Sequence, residues 1–182
     1  MLDDVRSQKL AKLFKILDVD GDGAVSVADY EALGSRLATV SGQRDPGKVA
    51  EMQETLKQIW EEFQLNVAGA EGRQVTESQF VHSLVAPQAS DPVRFSQFIG
   101  LTCNLLFGVA DTDGDNRISR AEHMLLGKEA FGLSDMETAE SFDKLDYWNR
   151  GYATMDQYAI AYTEFLTSTE PKANGNSLLG NY

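Results

Sequence analysis

Four times along the chain a phenylalanine is followed, at nearly the same interval, by a serine or threonine with an apolar residue just ahead of it. Phe14, Phe107 and Phe142 stand twelve residues before Ser26, Ser119 and Thr154, behind Val25, Ile118 and Ala153; Phe63 stands thirteen before Thr76, behind Val75. One unit used four times leaves little freedom in the architecture. Each hydroxyl is followed three residues later by Asp29, Glu122, Gln157 or Gln79, the capping-box spacing that starts a helix. The capping box explains how each loop ends. It does not explain how two of them begin.

In "DVDGDGAVSVAD", residues 18–29, Asp18, Asp20, Asp22 and Asp29 occupy positions 1, 3, 5 and 12 of a twelve-residue loop, with Gly23 at the turn and the Ala24 carbonyl at position 7. A hard cation such as calcium needs six to eight oxygens, and this spacing supplies them. The pattern is similar to the EF-hand loop, except that glutamate is expected where Asp29 stands, one methylene shorter in reach. "DTDGDNRISRAE", residues 111–122, repeats the acids as Asp111, Asp113, Asp115 and Glu122, with the Arg117 carbonyl at position 7. Asn116 replaces the turn glycine, and asparagine tolerates the left-handed backbone the turn requires. The expected cofactor is therefore calcium at two sites, with magnesium competing at the first because Asp29 offers a smaller oxygen shell.

The other two copies have lost the acids. "LNVAGAEGRQVTESQ" has an extra residue and no carboxylates at ligand spacing, and "DYWNRGYATMDQ", 146–157, retains Asp146 and Gly151 but puts Trp148 and Arg150 at positions 3 and 5. Both are expected to be structural loops.

Between loops the apolar period is helical. Leu10, Leu13, Phe14 and Leu17 form one stripe; Tyr30, Leu33, Leu37 and Val40 another; Val49, Met52, Leu56, Ile59 and Phe63 a third after the Asp45-Pro46 start. Asp91-Pro92 and Ser134 with Glu137 start two more helices, the latter with Met136, Ala139, Phe142 and Leu145 on its inner face; Tyr158, Tyr162 and Phe165 continue the last. Val25 is expected to pair with Val75 and Ile118 with Ala153. The fold class is all-α: four helix-loop-helix units in two pairs, with short antiparallel bridges between paired loops, forming a compact globule. "APQASDP", 86–92, marks the boundary between an N-terminal pair at 1–87 (first hand metal-binding, second degenerate) and a C-terminal pair at 88–182 (third metal-binding, fourth degenerate).

With 28 acids against 16 bases and a net charge of −12, the chain would be repelled by nucleic acid and by anionic membranes. The single Cys103 excludes an intramolecular disulfide, and its apolar run "FIGLTCNLLFGVA" is too short to span a bilayer. "MLDD" has neither a secretory signal nor a myristoylation glycine, so a cytoplasmic monomer is expected. His82 and His123 accompany no nucleophile motif or phosphate loop, so no enzyme is expected.

The ending "YTEFLTSTEPKANGNSLLGNY", with its GN-x-L-x-G motif after an aromatic helix, resembles the sarcoplasmic calcium-binding protein family and its relatives calerythrin and calexcitin. The resemblance implies two hand pairs packed face to face, a tail folded back onto the body, an aspartate tolerated at the close of the first loop, and service chiefly as a calcium buffer. Leu178 and Leu179 would then fill a groove between the pairs. A calcium sensor presenting an apolar groove to a protein target, and a luciferin-binding relative enclosing a chromophore, are the alternatives. The five methionines are dispersed, unlike those of a Met-lined sensor groove.

Overall fold

The computed structural model describes residues 4–66, 74–85 and 91–182. The degenerate second loop and the 86–90 part of the inter-pair boundary lie largely outside these residues. Among the described residues, eight α-helices alternate with two-residue strands: α1 (Val5–Leu17), β1 (Ala24–Val25), α2 (Val27–Val40), α3 (Pro46–Asn66), β2 (Val75–Thr76), α4 (Glu77–Val85), α5 (Pro92–Ala110), β3 (Ile118–Ser119), α6 (Arg120–Leu125), α7 (Asp135–Leu145), β4 (Tyr152–Ala153) and α8 (Met155–Thr167). Helix α6 runs on through a π-helical turn, Leu126–Ala130, and a 3₁₀ turn, Asn174–Ser177, opens the tail.

The strands pair within each half as the repeat frame implies: Val25 faces Val75, and Ile118 faces Ala153, both antiparallel. The caps form at the expected serines and threonines. Ser26, Ser119, Ser134 and Thr154 each close a reciprocal capping box, which satisfies two otherwise orphaned N–H groups per helix start.

The apolar stripes of α1, α2 and α8 are buried, that of α3 is buried except for the half-buried Val49, and the buried residues of both halves form one continuous core. Helix α2 packs on α3, α3 on α5, and α5 on α8. Helix α5 is 19 residues long and, by length and mean hydropathy, could cross a membrane. The run 98–110, expected to be too short to do so, is the C-terminal part of this longer helix. Phe95, Phe98, Ile99, Cys103, Leu106 and Phe107 are buried in the core, while Val93 is exposed. Burial pushes the Cys103 thiol up to about 12, so it stays protonated and inert. A correction concerns α7. Its inner face is Thr138, Ser141, Phe142 and Leu145, while Met136 is 65% exposed; six residues from Phe142 on a 3.6-residue period points it away from the core.

Helix α1 bridges the halves with two buried cations. Arg6 donates through Nε to the Leu166 carbonyl (2.9 Å) and through Nη2 to the Leu84 carbonyl (2.7 Å). Lys9, with 0% exposure, donates to the carbonyls of Glu164 and Ser168, both at 2.9 Å, and to Asn176 Oδ1 at 2.7 Å. Four of these five acceptors are carbonyls at the C-terminal ends of α4 and α8, where the negative end of the dipole lies; the Glu164 carbonyl also accepts the Ser168 N–H at 2.8 Å, while Leu84 and Leu166 fall in the last turn, whose carbonyls lack an intrahelical donor. Burial, reinforced by the Arg6 charge, lowers the Lys9 pKa to about 8.

The tail docks as expected, with Leu178 and Leu179 each 3% exposed. Its motif follows from close approach. A Cβ at Gly175 would collide with the Ala161 carbonyl oxygen, and one at Gly180, where φ is +83°, would come within 2.7 Å of Glu137 Oε1. Asn176 accepts from Lys9 and donates to the Glu170 carbonyl (2.8 Å). Ser141 Oγ donates to the Leu178 carbonyl at 3.0 Å.

Burying the two leucines is worth about 1.5–3 kcal/mol each before ordering costs. Deletion of residues 174–182 should therefore cost at least about 2 kcal/mol, lowering Tm by roughly 4–8 °C in a chain of this size. A calorimetric melt that does not move would show the tail contributes nothing. At Glu137, the Ser134 backbone N–H, the Ser134 hydroxyl and Lys12 together hold the carboxyl down to about 2, against 4.5 unfolded. The ionised cap stabilises fully above 4.5, and the contribution disappears as pH falls through 2. Glu137→Gln should cost about 1 kcal/mol at pH 7, and denaturant titrations of the variant and parent should converge toward pH 2.

Candidate metal centres

The first loop leaves α1 at Asp18, which caps the helix with its own N–H bound to the Phe14 carbonyl. The chain then reverses through two left-handed residues, Gly21 (φ 73°) and Gly23 (φ 87°), a backbone that side chains with a Cβ resist. Asp18 Oδ2 accepts the Gly23 N–H at 3.0 Å, Asp20 Oδ1 accepts from Asp22 N at 3.1 Å, and Asp22 Oδ1 accepts from Ala24 N at 2.9 Å. Alternating aspartates thus tie down the loop. One carboxylate oxygen from each of Asp18, Asp20 and Asp29 lies within 4.8 Å of the other two. Asp22 stands outside that trio, its Oδ2 accepting from Gln74 Nε2 at 3.0 Å.

The third loop has the same construction. Gly114 (φ 76°) and Asn116 (φ 61°) make the reversal, Asp111 accepts the N–H groups of Gly114 (2.9 Å) and Asn116 (3.0 Å), and Asp111, Asp113 and Asp115 bring carboxylate oxygens within 4.8 Å of one another. Glu122 is not in this trio. Its Oε1 accepts the Thr112 N–H and hydroxyl, both at 2.9 Å, and its Oε2 accepts the Ser119 N–H (2.9 Å) and hydroxyl (2.8 Å). Burial pushes the Glu122 carboxyl up, but the Ser119 and Thr112 donors outweigh it and hold the group below its ordinary value. Asp29 is placed equivalently, accepting from Val19 N (2.9 Å) and from Ser26 N and Oγ (2.8 Å each). The capping half of this arrangement was legible in the spacing. The bond to the second loop residue was not, because it crosses the loop.

The residues fit a divalent cation. Asp18 Oδ1 is buried without a hydrogen-bond partner in the protein, an expensive state for a carboxylate oxygen unless something positive faces it. Hard, anionic oxygens crowded at this spacing suit calcium or magnesium and not a soft metal.

The family model described as EF hand matches residues 10–33 and 104–122, the two acid-rich loops with the helical turns around them. The chain is 30% identical over 169 residues to calerythrin of Saccharopolyspora erythraea, spanning 88% of this chain and 92% of that protein. The chain belongs to the sarcoplasmic calcium-binding protein and calerythrin family. A sarcoplasmic calcium-binding protein of Perinereis vancaurica tetradentata is 32% identical over 120 residues, 66% of each chain. The solved sarcoplasmic calcium-binding protein from amphioxus shares the fold at a TM-score of 0.75 and 20% identity, with all of both chains covered. Membership makes this a calcium-binding EF-hand protein and agrees with the resemblance seen in the tail.

Three carboxylates held this close repel one another, and neutralising one relieves that strain in the metal-free protein while removing an ion ligand. Asp113→Asn, which keeps the Oδ1 acceptor for Asp115, should leave the Tm in chelator unchanged or higher yet shrink the rise produced by calcium. Paired thermal melts in chelator and in calcium check this; an undiminished rise would remove Asp113 from the site.

Proposed function

We propose that the protein is a calcium buffer that binds two calcium ions, one through Asp18, Asp20, Asp22, Asp29 and the Ala24 carbonyl, the other through Asp111, Asp113, Asp115, Glu122 and the Arg117 carbonyl. The observation that carries the reading is the buried Asp18 Oδ1, without a protein partner beside two further carboxylates. The hands at 1–87 and at 88–182 would each contribute one ion. Coordination by both oxygens of Glu122 requires exchange of its Thr112 and Ser119 hydrogen bonds for the metal, which the longer side chain can accomplish more easily than Asp29. The first site is accordingly the one where magnesium competes.

Buffer is preferred to sensor because the groove a target helix would use is filled by the chain's own Leu178 and Leu179. The chromophore-binding alternative is disfavoured by size. The apolar cavity at the centre, lined by Leu13, Phe98, Tyr162 and Leu179 among others, has a volume of about 60 Å³, against roughly 300–1,000 Å³ for pockets that enclose drug-sized ligands. A buffer of this kind works as a monomer in the cytoplasm, with calcium ions as its partners and no catalysis.

Calorimetric titration of the metal-free protein is the test. Two calcium ions should bind, Asp18→Ala and Asp111→Ala should each delete one, and millimolar magnesium should weaken the site lost in Asp18→Ala more than the other. A third stoichiometric ion, or a large calcium-induced rise in apolar-dye fluorescence, would overturn the buffer reading.

A further inference from the structure

The fourth loop keeps only the first of the alternating acids, Asp146, yet its backbone follows the first and third at the turn positions. Position 4 is left-handed in all three, at Gly21 (73°), Gly114 (76°) and Asn149 (53°), and so is position 6, at Gly23 (87°), Asn116 (61°) and Gly151 (81°). The position-6 N–H donates to the first aspartate each time, Gly151 reaching Asp146 Oδ2 at 2.6 Å. Position 12 again caps position 9, with Gln157 Oε1 accepting the Thr154 N–H at 3.1 Å. Something holds this loop in the shape of its acid-rich counterparts.

A guanidinium stands among the side chains that would otherwise surround an ion. Arg150, at position 5, donates through Nη2 to Gln157 Oε1 at position 12 (2.5 Å). Its Cζ lies 4.5 Å from the ring centroid of Trp148 at position 3 and 4.7 Å from that of Tyr152 at position 7. The cation is thus satisfied by an amide oxygen and two aromatic faces, a set suited to a planar organic cation, whereas calcium could use only the amide oxygen. Gln157 is buried and also donates from Nε2 to the Leu145 carbonyl at 3.1 Å, so the contact ties the end of α7 to the start of α8.

The same Tyr152 ring faces the third loop. Arg117 Cζ lies 4.2 Å from its centroid, and Tyr152 is the register partner of Ser119 in the β3–β4 bridge. Arg117 is the residue whose carbonyl stands at ligand position 7 of the third loop.

We infer that Arg150 is a tethered cation that takes the place of a metal in the fourth loop, fixes β4 as a standing template, and thereby acts as a positioning residue for calcium in the third loop. This rests on the reading that the third loop binds calcium. An EF-hand loop must be ordered when its ion arrives, and that entropy is charged against the affinity. A partner strand held in place without any ion removes part of the cost for residues 117–119. Electrostatics alone pulls the other way, because a fixed positive charge near the site repels calcium. The two effects have opposite signs, which makes the inference decidable.

In the Asp18→Ala background only the third loop remains to titrate. Arg150→Gln removes the charge and Arg150→Lys keeps it while losing the planar stack and the fork to Gln157. Both should weaken calcium binding by about fivefold to tenfold. The first site, measured in the Asp111→Ala background, should stay within about twofold for either substitution. In the calcium-free protein, amide exchange in residues 118–119 and 152–153 should be slow and should speed up in both variants. Tighter or unchanged binding in Arg150→Gln, or rapid exchange of those amides in the calcium-free parent, would overturn the template. An Asp18→Ala parent that takes up no calcium at all would instead show the third-loop assignment to be wrong, and the inference would fall with it.

Discussion

In each loop that starts from an aspartate at the end of a helix, that carboxylate folds back on the N–H five residues later: Asp18 on Gly23, Asp111 on Asn116, Asp146 on Gly151. The rest of each hand is placed relative to this closure. It requires left-handed backbone at positions 4 and 6, turns the chain into the two-residue strand, and delivers a serine or threonine to start the next helix. Because the outgoing helix is then fixed with respect to the incoming one, the apolar stripes before and after the loop converge on one core. The candidate ion sites are a consequence of this closure plus chemistry: the same geometry holds carboxylates in the first and third loops and a guanidinium in the fourth.

Charge decides how these loops differ. Eight carboxylates at the proposed ligand positions contribute to a net charge of −12, and their crowding is a cost that a divalent cation offsets. Asp29 and Glu122 temper that cost by accepting hydrogen bonds at both oxygens. They act as caps and as candidate ligands at once, so metal uptake is coupled to the start of α2 and α6. Where Trp148 and Arg150 replace acids there is no crowding to relieve, and the loop keeps its form with a cation already attached to the chain.

The two halves are joined by a different device, in which polar groups are buried to satisfy other buried polar groups. Helices α4 and α8 end inside the protein, and Arg6 and Lys9 of α1 donate to the carbonyls at those ends. Lys9 also takes Asn176 of the tail, so the cation that closes α8 also anchors the segment that plugs the groove. Removal of either partner strands the other away from water, which explains how a short polar tail can be held against thermal motion by a handful of contacts.

The sequence by itself determined the repeat, the helix starts, the pairing of Val25 with Val75 and Ile118 with Ala153, and the candidate ligands. All of these follow from local rules: capping chemistry, the 3.6-residue period, and ligand spacing within twelve residues. Even the docking of Leu178 and Leu179 was readable, because adjacent leucines at a polar chain end have little reason to stay in water. Tertiary structure alone decided what depends on groups far apart in the chain. Nothing near Lys9 or Arg6 in the sequence marks them as buried, since their acceptors lie roughly 80 to 170 residues away. Met136 was misplaced because a stripe read from spacing has an uncertain edge, and only packing against the tail chose Ser141 over it. Gly175 is glycine because the Ala161 carbonyl passes too close for a Cβ, and Gly180 because its φ of +83° is left-handed. The apolarity of α5 could serve lipid or core equally well by composition; its packing against α3 and α8 puts Phe95, Phe98, Ile99, Cys103, Leu106 and Phe107 in the core.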